Sequence, residues 1–115
     1  MAENKNAWDI WVADVPFENS DGHKIRPVII LEDSDDSVQV VQMMMLTTHT
    51  PRLGEYALRY WRESGLHRPT TARISKIIDL PQDSFSYKIG TLNSDDIEEI
   101  YRLLTTLNTH GENTQ

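Results

Sequence analysis

Lys24-Ile-Arg-Pro-Val-Ile-Ile-Leu31 ends in a β-branched run bounded by polar residues, the pattern of a strand buried on both sides. Pro27 opens the run, where a missing backbone N–H is tolerated. On its N-terminal side Trp8 to Val15 alternates, with Trp8, Ile10 and Val12 on one face and Trp11, Ala13 and Val15 on the other, the period of another strand. Pro16 interrupts that ladder, and Phe17 to Lys24 has the Asn, Ser, Asp and Gly content of a loop. On the C-terminal side Glu32 to Asp36 makes an acidic turn. Val38 to Leu46 reads as the next strand, its valines favouring extended backbone and its methionines filling an irregular core.

From Leu53 the period changes. Leu53, Ala57, Trp61 and Ser64 recur every three or four residues and Gly65 offers a left-handed cap, which predicts a short helix over about 54–64. Thr70 to Ile78 alternates again, with Thr71, Arg73, Ser75 and Ile77 on one face and Ala72, Ile74, Lys76 and Ile78 on the other. Asn93 is a helix cap followed by Asp95 and Asp96 at the positive end of the dipole. Ile97, Ile100, Tyr101, Leu104 and Leu107 then form one apolar stripe, so an amphipathic helix is expected over about 94–107. The expected fold class is mainly β (α+β), one domain over 1–115 with residues 1–7 and 109–115 flexible.

Composition narrows the function. The 115 residues include no cysteine, which excludes a disulfide framework and a thiolate zinc site. The polar start lacks the apolar core of a signal peptide and no apolar run is long enough to span a bilayer, so a cytoplasmic protein with no membrane association is expected. The net charge of −7 argues against a surface that is one continuous nucleic-acid footprint. Its distribution is uneven. Between His49 and Ile78 six basic residues face two acids, a local balance of +4 that leaves −11 on the rest. Such a field concentrates a polyanion at one place.

No nucleophile elbow, phosphate-binding glycine loop or His-Glu-x-x-His motif is present, and the four histidines lie far apart in sequence, so neither a metal nor a cofactor is expected. What remains is Arg26 where the buried strand begins, Thr47 and Thr48 where the following strand ends, and Arg73 with Ser75 on a third. If those strands are neighbours, guanidinium and hydroxyl groups meet in a set suited to a phosphodiester. Arginine offers planar two-point donors to phosphate oxygens and a hydroxyl adds a further hydrogen bond. Taken singly, each has a plainer reading, Arg26 as a partner of Asp9 or Asp14 and the threonines as caps on loop backbone.

The ordered series Asp9-Ile-Trp-Val-Ala-Asp-Val-Pro-Phe17, Lys24-Ile-Arg-Pro-Val-Ile-Ile-Leu31, Leu46-Thr-Thr, Ser75-Lys-Ile-Ile-Asp-Leu80 and Ile89-Gly-Thr-Leu, followed by the acid-capped helix, resembles the PemK/MazF-type toxins of toxin–antitoxin systems. The resemblance implies an SH3-like small barrel of the PemK/MazF/CcdB toxin type, a homodimer, a cognate antitoxin and metal-independent cleavage of single-stranded RNA (mRNA) by 2′-hydroxyl attack. By position, Arg26, Thr47 and Arg73 match the family's catalytic arginine, phosphate-binding threonine and acid arginine. Lys24, Thr48, Arg52, Arg68, Ser75 and Lys76 are the expected RNA contacts. Two residues depart from the pattern. Ser75 replaces an aspartate base, leaving His23 and His49 as candidate base or acid because imidazole titrates near neutrality. Trp8 stands where the family has a glycine. The alternative expectation is a non-catalytic member of the fold that binds an antitoxin, DNA gyrase or another protein.

Overall fold

The computed structural model describes residues 4–17, 21–35 and 37–113, with side chains as far as residue 106. Residues 1–3, 114 and 115, within the ends expected to be flexible, lie outside the described residues, as do 18–20 of the predicted loop and 36 of the acidic turn.

Six strands form one antiparallel sheet: β1 Asp9–Pro16, β2 His23–Ile30, β3 Val40–Thr47, β4 Tyr56–Ala57, β5 Thr71–Pro81 and β6 Phe85–Thr91, with helix α1 at Ser94–Asn113. Their order across the sheet is β4-β5-β3-β2-β1-β6. The fold is thus mainly β with a C-terminal helix, as expected. The sheet is not closed into a barrel, because β4 and β6 share no ladder. Instead the segment between β4 and β5 closes the gap. The Ser64 carbonyl lies so near Gly90 of β6 that a Cβ there would sit 2.3 Å from it, which only glycine permits.

Strand alternation divides the core as the sequence suggests. Ile10, Ile29, Met44 and Leu46 pack on one face with Ile100 of α1, while Trp11, Ala13, Val15, Val28, Ile30 and Met43 pack on the other. On the helix, Ile100 is fully buried and Ile97 and Leu104 pack on the core, but Tyr101, placed on the stripe by its spacing, is 64% exposed and Leu103 packs in its stead. The Asn93 side chain accepts the Asp95 N–H at 2.9 Å, the cap its sequence predicts. Among the described residues no helix is long and apolar enough to cross a membrane.

The predicted helix over 54–64 is absent. Gly54 has φ +83°, Tyr56 and Ala57 pair with Ala72 and Thr71, and the Leu58 N–H donates to the Thr70 carbonyl. Buried Asp96 then captures the segment: its carboxylate accepts the Tyr56 hydroxyl at 2.5 Å and the Arg59 and Tyr60 amides at 3.0 Å each. Amides bound to a side chain are unavailable to a helix. One turn survives, where the Ser64 N–H meets the Tyr60 carbonyl, and it ends at Gly65 with φ +96°, the cap read from sequence. The N-terminus is also more anchored than expected at Lys5, which bridges Ser34 and sends its ammonium to Gln82 at 2.6 Å.

Two irregularities interrupt the regular backbone of the sheet. Met44 pairs with Ile77 and Leu46 with Ala72, so four residues of β5, Arg73 to Lys76, oppose Met45 alone. This large bulge breaks the strict alternation predicted for Thr70 to Ile78. Trp8 adopts φ +74°, a left-handed conformation that its Cβ disfavours by roughly 1–2 kcal/mol. A glycine would occupy that backbone without strain, and Trp8 instead packs its ring on the core.

Candidate functional site

Arg26 and Lys24 leave β2 on the same face as Val28 and Ile30, and Thr47 leaves the end of β3 on that face beyond Met43 and Met45. There the apolar core stops. A cavity of about 330 Å3 opens, lined by Lys24, Arg26, Thr47, His49, Arg52 and Arg73, with Val15 to Phe17 as its apolar wall. Three catalytic candidates drawn from three strands therefore border one space, with three further cationic or titratable groups. The bulge accounts for Arg73: released from the ladder, it reaches the cavity, while Ser75 on the same bulge is exposed and outside the lining.

Hydrogen bonds sort these groups. The Arg26 guanidinium and the Thr47 hydroxyl have no hydrogen-bond or ion-pair partner among the described residues, so neither Asp9 nor Asp14 takes up Arg26. The Arg73 Nε–H donates to the Glu55 carboxylate at 3.1 Å. The His49 Nδ1 lies 2.9 Å from the Thr50 carbonyl, which only accepts, so Nδ1 is the donor in that contact. The Thr71 hydroxyl donates to the His49 carbonyl at 3.1 Å and fixes that loop to β5. Among the described residues no three carboxylate or imidazole groups gather as a metal-binding set.

Other expected contacts fall elsewhere. His23 projects from the opposite face of β2 to Arg26, exposed and 3.5 Å from Asp14, so it does not meet the cavity. Ser75 and Lys76 lie on the bulge outside the lining. Thr48 and Arg68 border a second, more apolar cavity of about 520 Å3 with Pro27, Leu66, Tyr87 and Ile89. That cavity is larger, yet it holds none of the three catalytic candidates; the smaller one concentrates the charge. Glu55 is the functional neighbour the sequence did not single out. Its placement depends on Gly54 and the pairing of β4, which a four-residue period hid.

What the cavity offers chemically is a cluster of cations around a nearly dry threonine hydroxyl, with one imidazole in the lining. Such a set is chemically suited to holding a phosphodiester and to stabilising added negative charge on it. The model of the PemK-like, MazF-like toxins of type II toxin–antitoxin systems matches residues 6–107. No curated relative matches in sequence. Among solved structures, the chain is similar to MazF (Form-I) from Deinococcus radiodurans, with TM-score 0.71, 15% identity and 94% of this chain and 99% of that one covered. It is similar to the Mycobacterium tuberculosis toxin MazF-mt6 at TM-score 0.65 and 19% identity, covering 85% and 93%. A mycobacterial endoribonuclease in complex with its cognate antitoxin gives TM-score 0.69 and 16% identity, covering 89% and 92%.

Proposed function

The chain belongs to the PemK-like, MazF-like toxins of type II toxin–antitoxin systems, and from that premise we propose that it is a metal-independent endoribonuclease that cleaves single-stranded RNA at short specific sequences. The observation that carries this reading is the meeting of Arg26, Thr47 and Arg73 at one cavity bordered by Lys24, Arg52 and His49. A similar fold bearing the name endoribonuclease, and another seen with its cognate antitoxin, support it.

In the proposed reaction the scissile phosphate sits between Arg26 and Thr47, whose N–H and O–H groups donate to its non-bridging oxygens. His49 Nε2 takes the proton of the ribose 2′-hydroxyl, filling the place left by Ser75. The O2′–P bond forms, the P–O5′ bond breaks, and Arg73 stabilises the developing charge on O5′ until water protonates that oxygen, His49 returning its proton to solvent. The products are a 2′,3′-cyclic phosphate and a 5′-hydroxyl. Both donors are in place before charge develops, so their gain is largest in the transition state. The protein acts as a homodimer in the cytoplasm, and its antitoxin neutralises it by laying an acidic or apolar segment over the same cavity.

The exposed Ser75 favours a second reading, a toxin-fold binding protein without catalysis, in which the cavity holds an acidic segment of an antitoxin, gyrase or another protein. One incubation separates the two. Purified protein mixed with a long single-stranded RNA in EDTA is expected to give discrete fragments bearing 5′-hydroxyls, and Arg26→Ala to reduce their rate by about 100-fold or more. Intact RNA with the wild-type protein would leave the binding reading in its place.

A further inference from the structure

Arg73 reaches the cavity under tension between a flexible side chain and a need for fixed geometry. Its stem has several rotatable bonds, and it springs from a bulge, where no ladder constrains the backbone. One carboxylate compensates. Glu55 accepts the Arg52 backbone N–H on Oε1 at 3.0 Å and the Arg73 Nε–H on Oε2 at 3.1 Å, while Oε1 lies 3.9 Å from His49 Nδ1. The Glu55 side chain is only 10% exposed and is not part of the cavity lining. It therefore stands behind the groups that face a substrate.

We propose that Glu55 is a positioning residue for the cleavage reaction, a single carboxylate that fixes both the Arg73 guanidinium and the loop carrying His49 and Arg52 toward the cavity. The proposal rests on the RNA-cleavage reading above. Proton abstraction is a poorer role for this group. Both of its oxygens are engaged by N–H donors, and the Arg52 amide, with help from Arg73, holds its carboxyl below the ordinary range for glutamate. A carboxylate that holds its charge this firmly is a weak base at neutral pH and a good anchor. Holding Arg73 through Nε also fixes the plane of the guanidinium, and the plane sets where its other donors point. Loss of such fixing acts on the chemical step, because a misplaced donor no longer meets the developing oxyanion.

The test compares wild type, Glu55→Ala and Glu55→Gln as full chains, with cleavage at saturating RNA, RNA affinity and the solvent exchange of the Arg73 Nε–H measured separately. Glu55→Ala is expected to slow cleavage by about 10- to 100-fold while RNA affinity changes by less than about 3-fold, and to speed Arg73 Nε–H exchange by about 10-fold or more. Glu55→Gln keeps the shape and one acceptor, so a loss of about 3- to 10-fold is expected, and it serves alone if the alanine variant does not fold. Wild-type cleavage rates with unchanged Nε–H exchange in a folded variant would overturn the positioning role. If wild-type protein leaves RNA intact, the cleavage reading fails by itself. The exchange measurement then still decides whether Glu55 holds Arg73, since it needs no substrate.

Discussion

Arg26 is recognisable from sequence because it adjoins the β-branched run, whose Val28, Ile29 and Ile30 assign its face, although β2 begins at His23 and Pro27 lies within the strand rather than at its entry. Thr47 follows from the end of the next strand in the same way. His23 and His49 could not be ranked, since both sit beside strand ends; only tertiary placement puts one at the cavity and the other beside Asp14. Glu55 was illegible, because its partner Arg73 is eighteen residues away on a strand whose bulge no local pattern announces. Glu55 also makes a pH prediction at this scale. Its native carboxyl is depressed from the ordinary 4.5 by hydrogen bonds, so it stabilises the fold fully above that value and the contribution is lost as pH falls through the native one. Glu55→Gln should be less stable than wild type by about 1 kcal/mol at neutral pH. Thermal melts should show that gap closing on acidification, and a gap that widens as pH falls would contradict the assignment.

Among the elements, β1 and the final helix are legible in the sequence through a dominant period, and β2 and β3 through β-branched or apolar runs with clear stops. β6 carries a usable signal, the alternation of Phe85, Tyr87 and Ile89 before Gly90. The segment over 54–64 misleads for a physical reason. Its apolar residues recur at helical spacing, yet Asp96 on α1 binds the amides of Arg59 and Tyr60 and the hydroxyl of Tyr56, a long-range contact that outweighs local preference. Asp96 is fully buried, so Asp96→Ala leaves three donors without a partner. A loss of about 3 kcal/mol in chemical denaturation is expected, together with increased protease sensitivity between residues 56 and 66. A variant as stable as wild type would show that the segment is held by its apolar contacts alone. The same anchor serves the site, since the segment it fixes begins one residue after Glu55.

At the scale of the whole molecule, an acidic body carries one basic concavity, and this contrast is already written in the charge distribution along the chain. What the sequence leaves open is how the charges divide. Lys24, Arg26, Arg52 and Arg73 gather at one cavity, while Arg68 goes to the more apolar neighbour with Thr48. In the proposed function the first of these holds an RNA phosphodiester. A nuclear magnetic resonance titration with a short single-stranded RNA, made uncleavable by 2′-O-methyl groups, tests it most directly. The side-chain signals of Arg26, Thr47, His49 and Arg73 are predicted to shift together on binding. Binding that shifts Leu66, Arg68 and Tyr87 and leaves those four unmoved would contradict the account, as would no binding at all.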